Sequence, residues 1–227
     1  MTTKSRAKAD SRTGKGKAGR RAPVRPKSGS DVPILAVAVG AVALALFIGM
    51  IVWIIYIGRP QPGPQTVSGI PCDHLEHTQV HYHAALQIIY HGVQTNLRDN
   101  TGIVFDSSGQ SVSCYYWLHV HAQDKNVIHI ESPANQTFTL GQFFDVWNAW
   151  SKQNGYGSIR LDSNHVAQFT LQPGDKMSVY VDLQDGKGPQ PYTGDPRAIP
   201  LKSHAVITMV ISPPDVTPPP FTFPSGL

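Results

Sequence analysis

The chain has 227 residues, which is enough for one domain of ordinary size and some additional segments. Its formal net charge of +4 is unevenly distributed, because residues 1–30 contain ten of the nineteen Lys and Arg. From Arg59 onward, acidic residues outnumber basic residues by thirteen to nine. The basic character therefore belongs to the first thirty residues, and the composition gives no reason to expect nucleic-acid binding by the folded part.

Residues 33–58 (PILAVAVGAVALALFIGMIVWIIYIG) form an uncharged, apolar run. A helix needs about 20 apolar residues to cross a bilayer, so we predict a single transmembrane helix at 31–58. The alternative is a cleavable signal peptide, whose apolar region would span about 7–15 residues and end at a small-residue cleavage site. This run is longer and is followed by Arg59, which favours an uncleaved anchor.

The basic residues at 1–30 predict the orientation of the chain. Lys and Arg beside a membrane helix stay in the cytoplasm, so we predict a single-pass protein of the cell membrane with its N-terminus inside and its C-terminal domain extracytoplasmic. The composition predicts a disordered tail that contacts anionic lipid, with a nucleic-acid-binding arm as the alternative. Ala41, Ala45 and Gly49 recur every four residues, a spacing that would let two helices pack as a homodimer.

Cys72 and Cys114 are the two cysteines of the chain. Both fall on the predicted extracytoplasmic side, where thiols oxidise. An even pair in such a compartment predicts one disulfide bond, and two free thiols are the alternative.

Three segments are predicted after the membrane helix. Residues 59–71 (RPQPGPQTVSGIP) form a Pro/Gly linker, and residues 72–211 form the extracytoplasmic domain. Residues 212–227 form a Pro-rich tail. Because proline cannot pair within a central strand, this tail either extends from the domain or packs along its surface.

Short strand patterns dominate the domain. Strands are predicted at 81–90, 93–97, 114–121, 127–131, 169–171, 177–183 and 204–211. One helix is predicted at 139–153, with Thr139 as the N-cap and Gln142 completing a capping box. Its aromatic and aliphatic residues share one stripe, which indicates a face that packs on a sheet. The fold is therefore predicted to be mainly β with one covering helix (α+β), built on an antiparallel sheet or a small barrel.

Six residues that can bind a metal repeat at two-residue spacing on the predicted strands. They are His81 and His83, His119 and His121, and His129 and Glu131. Because a strand repeats every two residues, the members of each pair point to the same face. A turn at 123–126 would set His119 opposite His129, with Cβ atoms about 4.5–5.5 Å apart.

Imidazole nitrogens are suitable ligands for zinc, copper, iron or nickel, and a carboxylate such as Glu131 can complete or orient the set. The sequence therefore predicts a metal site for copper or zinc, built from those six residues. The remaining histidines are interpreted as ordinary hydrogen-bonded polar residues. They are His74, His77, His91, His165 and His204.

Three known metal-site patterns do not fit this sequence. In a cupin, a glutamate follows His-x-His after a few residues, whereas Glu131 comes ten residues after His121. A blue-copper site needs a free cysteine and a nearby methionine, and no methionine closely follows Cys114. The zinc-protease motif His-Glu-x-x-His is absent, and residues 73–77 (DHLEH) only approach it.

The segments HYHAALQIIYHG, CYYWLHVHA, VIHIESP and FTLGQFFDVW, with QPGDK later in the chain, mark a wider resemblance. Between His81 and Trp147 the chain resembles an uncharacterised family of bacterial, membrane-anchored, His-rich extracytoplasmic domains. The resemblance covers about half of the chain. It implies one domain with linked histidine segments and implies no activity.

Three functions are compatible with these features. The first is a membrane-tethered extracytoplasmic domain that binds copper or zinc through strand histidines. The second is a non-catalytic envelope module that binds another envelope protein or the wall, in which the histidines are structural. The third is a metal-dependent hydrolase or oxygenase, which would need an open coordination position in a pocket.

Overall fold

The computed structural model describes residues 33–57 and 66–227. The predicted basic tail at 1–30 and the linker residues 59–65 lie outside the described residues. The chain divides into two compact units, one ending at Arg59 and the other comprising Pro60–Leu227.

The first unit contains helix α1, Ile34–Ile57. Its central segment, Val37–Ile55, is long and apolar enough to cross a membrane. None of this segment is buried against protein, in contrast to the core helix of a soluble domain. Leu46, for example, is 70% exposed. The predicted membrane-spanning helix is thus confirmed in its length and apolar character.

The second unit is mainly β, as predicted. Its strands are β1 (Cys72–Asp73), β2 (Val80–Tyr90), β3 (Val93–Thr95), β4 (Ile103–Phe105), β5 (Val112–Tyr116), β6 (Leu118–His119), β7 (Val127–Ser132), β8 (Arg160–Asp162), β9 (His165–Ala167), β10 (Phe169–Thr170), β11 (Lys176–Asp182), β12 (Gln190–Tyr192) and β13 (Val206–Ser212). Helix α2 (Leu140–Gln153) and a short 3-10 turn (Pro196–Ala198) complete it.

The main sheet has the strand order β12-β11-β13-β2-β7-β6, and β3 also pairs with β2. Its neighbouring strands are antiparallel except β2 and β13, which run parallel, so the sheet is mixed. Most of the domain separates these two strands along the chain, and no tight turn forces them to be antiparallel. Within the described residues the sheet is open, with β12 and β6 at its edges, and it does not close into the predicted barrel alternative.

Two three-stranded sheets accompany the main sheet, with the orders β1-β5-β4 and β8-β9-β10.

The prediction of a single strand at 114–121 is wrong, because the chain leaves one sheet at Tyr116 and enters another at Leu118. The indole N–H of Trp117 donates a hydrogen bond to Asp73 Oδ2 at 2.7 Å, which fixes the residue between the two strands. The backbone N–H of Tyr116 also turns to the Gly102 carbonyl, at 2.9 Å.

The core lies between the inner face of the main sheet and helix α2. The capping box is present as predicted, since the Thr139 side chain accepts from the Gln142 backbone and the Gln142 side chain accepts from the Thr139 backbone. The predicted stripe is fully or almost fully buried, and it comprises Leu140, Phe143, Phe144, Trp147 and Trp150. Trp150 also donates its indole N–H to the Ile103 carbonyl at 2.8 Å, which ties the helix to β4.

Cys72 and Cys114 form the predicted disulfide bond. It links the entry of the domain to β5, and closing a loop of 42 residues stabilises the fold by about 4 kcal/mol in the chain-entropy model. The Pro-rich C-terminal segment packs along the domain surface. Phe223 contacts the ring of His204, and the Leu227 carbonyl oxygen lies 3.1 Å from His204 Nε2.

Candidate metal centre

The register of three strands brings the sequence-predicted residues onto one face of the main sheet. In the β2–β7 pair, His83 lies opposite His129, and His81 lies opposite Glu131. In the β6–β7 pair, His119 lies opposite His129, as the turn argument predicts. The three strands thus set one row of histidines across the sheet. The alternate residues Ala84 and Leu86 of β2 enter the hydrophobic core on the other face.

The side chains on this face form two overlapping groups. In each group, one nitrogen or oxygen atom per residue lies within 4.8 Å of the corresponding atoms of the others. The larger group is His119, His121, His129 and Glu131, and the smaller group is His81, His83 and His129. Although His121 follows the end of β6, its side chain joins the group. Both groups have the ligand types and spacing of a transition-metal site.

Each His-x-His pair has its two Nε2 atoms at the separation expected of two ligands on one ion. The distance is 3.1 Å between His81 and His83, and also 3.1 Å between His119 and His121. With metal–nitrogen bonds of about 2.0–2.1 Å, two such nitrogens are about 2.9 Å apart at a right angle and about 3.3 Å apart at a tetrahedral angle. The face therefore needs little rearrangement to bind an ion.

His119 is the most deeply buried imidazole of the face, with a side chain that is 0% exposed. Its Nδ1 lies 2.8 Å from the carbonyl oxygen of Tyr116, and because a carbonyl only accepts, Nδ1 carries the proton. The Nε2 lone pair is consequently directed to the site, which is how histidine ligands are commonly oriented by their other nitrogen. Gly102 packs against the same segment, and a Cβ there would lie 2.7 Å from the Leu118 carbonyl oxygen and 3.1 Å from His119 Cβ.

At three imidazoles of this face, burial favours the neutral form, which is the form that binds metal. Desolvation, reinforced by the charges of neighbouring histidines, lowers the pKa of His83 to about 4. Desolvation also lowers the pKa of His119 to about 3 and lowers that of His121. At neutral pH these nitrogens are unprotonated and can serve as ligands.

Glu131 is the carboxylate at the centre of the face, and its side chain is 5% exposed. Its Oε1 lies 3.3 Å from His81 Nε2, 3.7 Å from His129 Nδ1 and 3.8 Å from His119 Nε2. Burial raises the pKa of Glu131, but its interactions with these three histidines lower it by more, so the net pKa lies below its ordinary value. The side chain is therefore ionised at neutral pH and can neutralise a bound cation.

Glu76 is a neighbour of the site that the sequence interpretation missed. Its Oε1 lies 3.1 Å from His121 Nε2 and 3.7 Å from His119 Nε2. It belongs to residues 74–79, here called the Glu76 loop, which connect β1 to β2. The predicted Cys72–Cys114 bond was the signal that could have found it, since that bond places the residues after Cys72 beside the strand that leads to His119.

The Glu76 loop is fixed by contacts on both sides of Glu76. Asp73 Oδ2 accepts hydrogen bonds from the Trp117 indole and from His77 Nε2, each at 2.7 Å. These two hydrogen bonds lower the pKa of Asp73. His74 Nδ1 donates to the Ser113 carbonyl at 2.8 Å. The loop is therefore held against β5, and Glu76 is held near the histidines.

Asp124 is the second residue that the sequence interpretation missed. It lies in the turn between His121 and β7, and its Oδ2 is 3.2 Å from His129 Nε2. The other ring nitrogen of His129, Nδ1, is buried and has no hydrogen-bond partner among the described residues. The signal that could have found Asp124 was its position in the sequence between His121 and His129. An acidic residue in a short turn between two strands that carry ligands lies at the edge of the site.

The histidines interpreted as ordinary polar residues each have a hydrogen-bond partner outside the face. The hydrogen-bonded pairs are His77 with Asp73, His91 with Asp175, His165 with Asp162, His74 with Ser113 and His204 with Leu227. These contacts agree with that interpretation.

Comparison of the chain with protein-family models, curated proteins and solved structures gives no match. The family resemblance of the segment from His81 to Trp147 therefore stays a prediction, and the function must be argued from the site.

Proposed function

We propose that this chain is a membrane-tethered extracytoplasmic domain that binds a transition metal, copper or zinc, through strand histidines. The observation that carries the proposal is the convergence of His119, His121, His129 and Glu131, whose donor atoms lie within 4.8 Å of one another. Imidazole with one or two carboxylates is a set that zinc and copper accept readily. The proposal includes membership of the His-rich membrane-anchored family, which supplies no activity of its own.

The extracytoplasmic placement is supported by two features. The Cys72–Cys114 disulfide is typical of an oxidising compartment, and α1 is preceded by the basic residues that retain an N-terminus in the cytoplasm. A reporter that is active only outside the cytoplasm, fused after Leu227, tests this placement. Activity of a cytoplasm-specific reporter at the same position would contradict it.

Metal binding is tested on the untagged full-length chain, purified in detergent and analysed for metal content. The unaltered chain is expected to retain stoichiometric copper or zinc. The double change His119→Ala with His129→Ala should abolish retention, because it removes two members of the larger group and His129 is also a member of the smaller group. The matched control, His91→Ala with His165→Ala, removes two surface imidazoles and should leave the metal content unchanged.

Complete absence of metal from the unaltered chain, even after incubation with zinc or copper salts, would contradict the proposal. The envelope module with structural histidines would then be the better interpretation. Retention of metal by the His119 and His129 double variant would show that the ligands lie elsewhere.

A further inference from the structure

The histidine face carries more donor groups than a single ion can use. Its donors are the imidazoles of His81, His83, His119, His121 and His129 and the carboxylates of Glu76, Asp124 and Glu131. A protein-bound zinc ion takes about four such ligands, and octahedral transition-metal sites take about six. Eight donors exceed both numbers and are sufficient for two four-coordinate ions.

The donors are arranged as two clusters rather than one. The β2 pair, His81 and His83, has Glu131 beside it, with Oε1 3.3 Å from His81 Nε2. The β6 pair, His119 and His121, has Glu76 beside it, with Oε1 3.1 Å from His121 Nε2. Because β7 lies between β2 and β6, the backbones that carry the two pairs are separated by two strand spacings, about 9–10 Å.

His129 occupies the position between the two pairs. Its ring centroid is 4.5 Å from that of His83 and 4.5 Å from that of His121, and both rings are nearly perpendicular to it. Among the described residues it is the one member that the two groups share. Its two ring nitrogens face different carboxylates, Nδ1 towards Glu131 at 3.7 Å and Nε2 towards Asp124 at 3.2 Å.

We propose that the face binds two transition-metal ions at once, one at each His-x-His pair, with His129 between them. A neutral imidazole has one unprotonated nitrogen and binds one ion through it. His129 would serve both ions as the imidazolate, with its N–H proton released to the solvent when the second ion binds. The three carboxylates offset most of the added charge of two divalent ions in a largely buried site. This inference rests on the proposed metal-binding function and makes a separate claim about its stoichiometry.

The experiment is a zinc titration of the untagged full-length chain in detergent, read by elemental analysis after equilibrium dialysis. Two zinc ions per chain are expected for the unaltered protein. One is expected after His81→Gln with His83→Gln, and one after His119→Gln with His121→Gln. The matched control, His91→Gln with His165→Gln, removes two surface imidazoles and should still bind two.

Each other result has a distinct meaning. One zinc ion per unaltered chain would overturn the two-ion proposal and leave the metal-binding function intact, whereas none would overturn the function itself. Three further results would overturn the two-ion proposal. They are two ions retained by either pair variant, both ions lost from one pair variant, and fewer than two ions bound by the control. A pair variant that loses its near-ultraviolet circular dichroism is replaced by the single change His83→Gln or His121→Gln, for which one ion per chain is again expected.

Discussion

His119 and His129 lie directly opposite each other in the β6–β7 pair, with their rings stacked at a centroid separation of 5.5 Å and an interplanar angle of 13°. This cross-strand contact joins the most deeply buried imidazole of the face to the one at its centre. The position of His119 is set in turn by Gly102, whose missing side chain leaves room for the backbone of β6. The geometry of the candidate metal centre therefore depends on a residue that carries no ligand atom.

The first prediction concerns that glycine. Gly102→Ala should lower the free energy of unfolding and weaken zinc binding, because the new Cβ would lie 2.7 Å from the Leu118 carbonyl oxygen and displace His119. Overpacking of this kind costs about 1–3 kcal/mol. Thermal unfolding and zinc titration of the full-length chain measure both effects.

The control for this prediction is Gly109→Ala. Gly109 has a φ of +70°, close to the +80° of Gly102, but a Cβ there meets nothing within 4 Å. Both variants share the cost of placing alanine in the left-handed region, about 1–2 kcal/mol. Only Gly102→Ala should also reduce zinc affinity. Equal behaviour of the two variants would show that backbone strain alone matters.

The parts of this site that are local in the chain were predictable from the sequence. Period-two spacing placed each His-x-His pair on one face, and a short turn placed His119 opposite His129. The capping box and apolar stripe likewise predicted helix α2, since both depend on residues a few positions apart. Such features need no knowledge of the overall topology.

The remaining parts depend on contacts between distant segments. Spacing alone could not decide that β2 pairs with β7 on one side and runs parallel to β13 on the other. The break at Trp117 follows from its hydrogen bond to Asp73, more than forty positions earlier in the chain. Glu76 lies more than forty positions before His121, and the Cys72–Cys114 bond is the sequence feature that links the two segments.

The second prediction concerns Glu76. Glu76→Gln should weaken zinc binding about tenfold, because it removes a charge 3.1 Å from His121 Nε2 while keeping the shape of the side chain. This loss of zinc affinity lies at the lower end of the range for residues that support metal ligands, because the Glu76 side chain is 39% exposed. Calorimetric titration with zinc measures it. Asp215→Asn, which neutralises an exposed acid in the Pro-rich tail, should leave the affinity unchanged.

The third prediction concerns the effect of pH on the metal-free protein. In the folded state His83 has a pKa of about 4, whereas in the unfolded chain it titrates near 6.5. Between these values the unfolded state binds more protons, so the free energy of unfolding should fall as the pH falls from about 6.5 towards 4. Above about 6.5 both states are neutral at His83, and this contribution to the pH dependence ends.

His83→Gln isolates this contribution, because glutamine does not titrate. Chemical denaturation in the presence of a chelator should show a shallower decrease in stability between pH 6.5 and pH 4 for the variant than for the unaltered chain. The lost contribution is about 3 kcal/mol at its largest. Parallel stability curves for the two proteins would contradict the lowered pKa of His83.

The fourth prediction concerns the effect of the disulfide bond on the candidate metal centre. The Cys72–Cys114 bond precedes the Glu76 loop directly, and β1, which carries Cys72, pairs with β5, which carries Cys114. Cys72→Ser with Cys114→Ser should therefore free the loop and lower zinc affinity by about the same factor as Glu76→Gln. It should also lower the free energy of unfolding by about 4 kcal/mol, because the unfolded chain without the bond has more conformational entropy.

The deciding measurement is the triple variant that combines both cysteine changes with Glu76→Gln. If the disulfide acts on the metal through Glu76, the triple variant should bind zinc no more weakly than Glu76→Gln alone, because the same interaction cannot be lost twice. If the losses in zinc binding free energy add instead, the disulfide acts on the histidine strands independently of the loop. All titrations are made at a temperature at which circular dichroism shows each variant to be folded, so that lost stability is not mistaken for lost affinity.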